Sequence, residues 1–130
     1  MLKKTITYTD YNGNERTEDH YFNLTQVEAM EMELSAEGGL TANIQRIIAS
    51  QDGGAIFRIF KDLILKSYGE KSLDGKRFIK SKEISEAFSQ TEAYSQFFME
   101  LVTDADAAAA FVNAITPAEV KGKLPETAKA

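Results

Sequence analysis

The residues most able to do chemistry in this 130-residue sequence are its 20 aspartates and glutamates. Two groups have the close spacing of a glycosidase-type carboxylate pair, namely Glu28 with Glu31 and Glu33, and Asp104 with Asp106. A general acid needs an apolar pocket that raises its pKa. The sequence instead places Glu28 in a helix-capping motif and Asp104 and Asp106 at a helix start, where backbone N–H groups favour negative charge. We therefore predict structural roles for these carboxylates and no catalytic residue.

Histidine and cysteine restrict the chemistry further, because the chain contains one histidine, His20, and no cysteine. Thiol nucleophiles, disulfides, iron–sulfur clusters and the common structural zinc sites all require sulfur, so they are excluded. A Ser–His–Asp relay would have to use His20. That residue falls on the strand positions that face the predicted core, so we expect a hydrogen-bonded structural imidazole and not a ligand or base.

The sequence also predicts no metal and no cofactor. Residues 10–15 present several oxygen atoms but lack the twelve-residue acidic pattern of a calcium loop, and a hairpin turn explains them. The glycine pairs at 38–39 and 53–54 lack the Lys-Ser/Thr that follows a phosphate-binding loop. Both pairs are interpreted as helix stops.

Charge is distributed in segments along a chain whose formal net charge is -5. Residues 60–82 contain seven basic and three acidic side chains, whereas residues 83–116 contain six acidic and none basic. Few aromatic residues interleave with the basic ones and the whole chain repels phosphate, so nucleic acid is not the expected partner. Complementary segments favour weak head-to-tail self-association or a partner protein. The predicted charged assembly surface comprises Lys71, Lys76, Arg77, Lys80 and Lys82.

No segment is apolar enough to suggest a membrane protein. The longest uninterrupted apolar run, at 107–112, has six residues, where a spanning helix needs about 20. The start of the chain, MLKK, is not followed by the apolar core of a secretion signal. We expect neither membrane insertion nor export.

The first 24 residues alternate in the manner of a β-hairpin around the Asn12-Gly13 turn. A two-residue loop would place Ile6 and Tyr8 on a face with charged residues. A three-residue loop with Gly13 in the left-handed conformation pairs residue 10 with residue 14 and gathers Ile6, Tyr8 and Phe22 on one face. We favour the second register.

Helical periodicity follows from residue 25 onwards. Capping signals predict helix starts at Thr25, Ser81, Ser89 and Thr103, and another helix starts near residue 41. The segment from residue 56 to about residue 68 is the expected central helix, with Ile56, Phe57, Phe60, Leu63 and Ile64 facing inward. Residues 69–80 are predicted to form a polar loop, held to the body by the apolar pair at 78–79.

Together these elements predict an α+β, mainly α fold in which an N-terminal β-hairpin packs on a bundle of about six short helices. Residues 1–116 are expected to form a single domain, with the hairpin at 2–24 and the helices at 25–116. The two prolines and small polar residues of 117–130 are typical of a flexible tail.

Aromatic residues are numerous, with eight Phe and five Tyr. Phe97 and Phe98 point about 100° apart on one helix, so both are covered only if that helix is buried on two sides. Either all the aromatic residues belong to the core, or some of them form a groove that accepts an amphipathic helix of a client protein. The predicted partner-binding residues are Tyr94, Phe97, Phe98 and Leu101.

Over residues 5–116 the sequence resembles the tail assembly chaperones of long-tailed bacteriophages and prophages of Gram-positive bacteria. The resemblance rests on the length of the match, and none of its motifs is catalytic. The matching stretches are YTDYNGNERTED at 8–19, FNLT at 22–25, EGGL at 37–40, FKDLILKSYGEK at 60–71, DGKRFIKS at 74–81 and AFSQTEAY at 87–94.

The resemblance implies a non-enzymatic factor of the host bacterial cytoplasm that is absent from the mature virion. Such a factor binds and solubilises the tape-measure protein and helps the tail-tube protein to polymerise around it. The family commonly produces a longer, frameshifted form that recruits tube subunits, and slippage near residues 120–123 would generate it. A structural tail-completion or connector protein is the alternative, and a small acid/base enzyme is the third possibility.

Overall fold

The computed structural model describes residues 1–35 and 38–117. In chain order, the elements are β1 (Leu2–Thr9), β2 (Glu15–Phe22), α1 (Gln26–Ser35), α2 (Leu40–Ser50), α3 (Gly53–Ser67), β3 (Tyr68–Lys71), β4 (Phe78–Ile79), α4 (Lys82–Ser89), α5 (Glu92–Thr103) and α6 (Ala105–Ile115). The predicted α+β, mainly α class, with an N-terminal hairpin packed on helices, is confirmed.

The first hairpin has the predicted three-residue register. Thr9 pairs with Glu15, Ile6 with Glu18 and Leu2 with Phe22, while Gly13 adopts a φ of 83° in the turn. This register places Ile6 and Phe22 on the helix-facing side, where both are buried. Because a shift of one residue would place these two side chains on opposite faces of the hairpin, apolar burial selects this register.

A second hairpin replaces the loop predicted at 69–80. Strands β3 and β4 pair through Glu70 with Ile79 and Lys71 with Phe78, and β3 also pairs with β2, so the sheet order is β1-β2-β3-β4. The loop prediction was wrong because β3 has four residues and β4 only two, which is too short to show a strand pattern. Their pairing depends on the edge of β2, which local sequence patterns do not reveal.

Local capping chemistry sets most of the helix starts. The predicted capping box is present, since Glu28 N–H donates to Thr25 Oγ1 over 3.1 Å and Thr25 N–H donates to the Glu28 carboxylate over 2.9 Å. Ser81 also caps a helix as predicted, whereas the cap predicted at Thr103 was wrong, because Asp104 accepts the hydrogen bonds from the N–H groups of Asp106 and Ala107. The cap predicted at Ser89 was wrong, because Thr91 accepts the hydrogen bond from Tyr94 N–H at the start of α5.

The predicted stop at residues 53–54 was also wrong. Both glycines lie in the first turn of α3, and Asp52 caps that helix by accepting from Ala55 N–H. Helix α2 ends instead at Gln51, whose left-handed conformation lets its N–H donate to the Ile48 carbonyl.

The core is centred on Phe22, which is fully buried. Its ring centroid lies 5.1 to 5.8 Å from the rings of Tyr68, Phe88, Phe97 and Phe111. Helix α5 contacts β1, α3, α4 and α6, and it therefore takes the central position that the sequence suggested for α3. Because neighbouring elements cover α5 on several sides, adjacent residues of this helix are buried together.

Of two predictions about aromatic side chains, one is confirmed and the other is wrong. Phe97 and Phe98 are both buried, as a helix covered on two sides requires. Phe57, expected to face inward, is 48% exposed, because it lies at the margin of the apolar arc of α3. The tail predicted at 117–130 lies, apart from its first residue, outside the described residues.

Candidate functional site

The carboxylates considered for catalysis occupy structural positions. Asp104 accepts hydrogen bonds from the N–H groups of Asp106 (3.0 Å) and Ala107 (3.2 Å), and both aspartates are exposed at the start of α6. Burial tends to raise the pKa of Glu28, but hydrogen bonds from Lys80 and from the Thr25 N–H outweigh burial and lower it overall. Such a carboxylate is stabilised as an anion and is a poor proton donor near neutral pH.

His20 is buried, as expected, but its hydrogen bonding differs from the prediction. Its Nε2 has no hydrogen-bond partner within the described residues. The imidazole instead packs against aromatic rings, with centroid distances of 5.3 Å to Phe88 and 6.2 Å to Tyr68. Burial lowers the pKa of His20, although the charges of Glu18 and Asp19 oppose that shift.

We expect folding stability to fall between pH 7.5 and pH 5.5 because of His20. The unfolded chain binds a proton near the ordinary histidine pKa of about 6.5, whereas the folded chain binds it only at lower pH, so acidification favours unfolding in this range. His20→Phe preserves an aromatic ring and removes the titration. Urea unfolding at the two pH values should show a smaller loss for the variant, and equal losses would contradict the prediction.

The predicted charged assembly residues lie on the second hairpin and the adjoining start of α4. Lys80 Nζ is 2.7 Å from the Glu28 carboxylate, and Lys82 Nζ is 3.7 Å from that of Glu86. Lys71 lies over the Tyr21 ring. Lys76 and Arg77 are exposed and form no salt bridge with any described residue. The freely available charge of this surface is therefore concentrated at the β3–β4 turn.

A concave surface lies between α3 and α5, and Tyr11 from the turn of the first hairpin also lines it. Its volume is about 600 Å³. We call it the α3–α5 groove. Its lining residues are Tyr11, Phe57, Arg58, Lys61, Ser89, Gln90, Thr91, Glu92, Tyr94, Ser95, Phe98 and Met99.

The α3–α5 groove has an apolar floor and a polar rim. The Phe57 and Phe98 rings are 5.0 Å apart, and the Tyr94 ring packs edge-on against Phe98 at 5.6 Å. Tyr11 is 75% exposed, and a hydrogen bond from its hydroxyl to the Glu92 carboxylate raises the pKa of Tyr11. Exposed aromatic and methionine side chains in a groove can pack against an apolar surface of another protein.

The structure brings two of the predicted partner-binding residues into this groove. Tyr94 and Phe98 line it, whereas Phe97 and Leu101 are turned into the core and are each 3% exposed. Sequence reasoning missed Tyr11, Phe57 and Met99, which are the large apolar and aromatic side chains of the lining that are exposed. Their adjacency arises from three distant segments, although Met99 follows the aromatic pair directly in the sequence.

The comparison with protein families decides the identity of this chain. The family model described as "Phage tail assembly chaperone" matches residues 1–129. The chain belongs to the phage tail assembly chaperone family. No curated protein and no solved structure is significantly similar to this chaperone.

Family membership assigns the chaperone to phage tail assembly and indicates protein partners. Within residues 1–35 and 38–117, the structure contains no cluster of three or more potential metal-ligating side chains. No helix in the same ranges has the length and hydropathy needed to cross a bilayer.

Proposed function

We propose that this chaperone acts without enzymatic chemistry and binds an amphipathic helical segment of the tape-measure protein in the α3–α5 groove. By covering apolar side chains, it keeps that protein soluble before the tail assembles. The observation that supports this proposal is the exposure of Phe57, Tyr11 and Met99 around one groove in a member of the tail assembly chaperone family.

A groove of this kind suits a helix better than an extended peptide. Its floor is made of side chains from two helices, so a third helix can insert its own apolar stripe between them. Each copy contributes a small contact area, and a long client with many apolar stripes binds many copies. Weak individual sites then add up through multivalency.

The wider role that we propose includes two further interactions. Polymerisation of the tail-tube protein around the coated tape measure is assisted by a longer, frameshifted form of the chaperone that recruits tube subunits. Neighbouring copies associate weakly head to tail, with the β3–β4 turn as the basic side of the contact. The gene's nucleotide sequence tests the frameshift directly, because a slippery heptamer with an overlapping frame is required.

We further propose that the chaperone works in the cytoplasm of the host bacterium and leaves the tail before the virion is complete. A tail-completion or connector protein would instead remain in the particle. Mass spectrometry of purified virions should detect the tail-tube protein and not this chain. Stoichiometric amounts of the chain in virions would contradict the proposal.

The double substitution Phe57→Asp with Met99→Asp tests the groove. Each side chain is 48% exposed, so the fold should tolerate the change, while two carboxylates oppose apolar docking. In co-expression with the tape-measure protein, we expect the client to move into the insoluble fraction. Titration with a soluble client fragment should show affinity reduced about tenfold or more.

The matched control is Val27→Asp with Leu34→Asp on α1. These residues are 68% and 51% exposed and lie outside the groove, so the pair introduces the same charge at similar exposure. We expect this control to solubilise the client as the unmodified chaperone does. Equal client solubility with both double variants would overturn the assignment of the groove.

A further inference from the structure

The α3–α5 groove does not end at its apolar floor. A second cavity of about 370 Å³ continues from it along α3 and shares Arg58 and Lys61 with it. The second cavity also contains Lys66 and is bounded by Asp62, Leu65 and Ser85. From Phe57 to Lys66 the two cavities follow α3 for about 14 Å, at a rise of 1.5 Å per residue.

Three cations follow one side of this channel. Arg58, Lys61 and Lys66 are all exposed, and none forms a salt bridge with another described residue. We call them the cationic row. Two carboxylates also line the channel, namely Asp62 within the row and Glu92, which accepts a hydrogen bond from Tyr11. The part of the channel beyond the apolar floor is therefore positive, in a chain whose net charge is -5.

We propose that this channel selects amphipathic helices that bear carboxylates one to two turns beyond their apolar residues. The inference rests on the proposed function of the groove and specifies the chemistry of its partner. The apolar residues of the client helix occupy the floor between Phe57 and Met99, and its carboxylates lie against the cationic row. A helix with lysine at those positions meets like charges and is rejected.

The geometry also gives the bound helix a direction. Its apolar stripe must lie over Phe57 and Met99 and its carboxylates toward Lys66, because Lys66 lines the second cavity and not the apolar floor. The contact between the client's carboxylates and the exposed cationic row adds selectivity, and it weakens as the salt concentration rises. The floor of the groove supplies the apolar contact.

Two synthetic helical peptides test this inference. Both have the same apolar residues at i, i+3, i+4 and i+7, and they differ only in having either glutamates or lysines over the next two turns. Fluorescence anisotropy in low salt should show that the chaperone binds the glutamate peptide about tenfold or more tightly than the lysine peptide. The difference should shrink as salt is raised to 0.5 M, an ionic strength chosen to reduce the Debye length to roughly 4–5 Å.

The decisive variant is Arg58→Glu with Lys61→Glu, which should prefer the lysine peptide. The matched control is Lys3→Glu with Arg46→Glu, which makes the same charge change at exposed positions outside the channel and should retain the original preference.

The outcomes separate the two levels of the proposal. Equal binding of both peptides to the unmodified chaperone would overturn the selectivity and leave the apolar groove intact. Loss of the preference in both charge variants would also overturn it, because the effect would then follow net charge alone. Binding of neither peptide would count against the groove itself and so against the proposed function.

Discussion

Phe22→Ala should destabilise the fold by about 3–5 kcal/mol, because it removes the ring on which the core converges. Phe22 is fully buried, and its ring contacts aromatic residues from β3, α4, α5 and α6. No single neighbour can fill the resulting cavity without leaving its own contacts. Thermal unfolding should show a midpoint lower by on the order of 10–15 °C.

Phe57→Ala provides the control for that measurement, since it makes the same chemical change on a half-exposed side chain. Its cost should be below about 1 kcal/mol, because little burial is lost and no closed cavity forms. If the two variants unfolded at the same temperature, Phe22 would not be the centre of the core.

Gly69→Ala should destabilise the second hairpin and with it the sheet by about 1–3 kcal/mol. A Cβ at this position would lie 2.7 Å from Phe78 Cε2 and 2.8 Å from the Ile79 carbonyl oxygen. The Phe78 ring could rotate, but the carbonyl oxygen belongs to the backbone of β4, so β4 must move away from β3. Hydrogen exchange at the amides of β3 and β4 should accelerate, and chemical unfolding should shift to lower denaturant.

Gly53→Ala serves as the comparison for this substitution. Gly53 lies in the first turn of α3, and a Cβ there would meet no atom within 4 Å. Alanine in a helix restricts the unfolded chain, so stability should be unchanged or increase by up to about 1 kcal/mol. Unaltered exchange at β3 and β4 in Gly69→Ala would show that the close approach does not hold this hairpin.

Several features of the fold follow from patterns within a few residues of one another. The register of the first hairpin follows from the alternation of Ile6, Tyr8 and Phe22 with polar residues, together with a glycine at the turn. The capping box of α1 follows from the spacing of Thr25 and Glu28. These features can be predicted from the sequence because their free energies depend on local geometry and on one buried face.

Other features could not be predicted from neighbouring residues, because contacts with other elements decide them. Ser89 and Thr91 both present a hydroxyl near the start of α5, and the choice of Thr91 depends on how α4 ends against its neighbours. His20 was expected to be hydrogen-bonded, but it packs against rings from β3 and α4, and its Nε2 has no hydrogen-bond partner in the part of the chain that the structure describes. In both cases the deciding contacts are made by other elements.

By itself, the sequence determined the fold class, the first hairpin and most helix starts, and the resemblance over residues 5–116 pointed to the correct family. Only the tertiary structure decided that α5 is central, that β3 and β4 extend the sheet, and that Tyr11, Phe57 and Met99 surround one groove. The physical reason is that caps and alternation depend on short-range geometry. A groove depends instead on which faces remain exposed after distant segments have packed together.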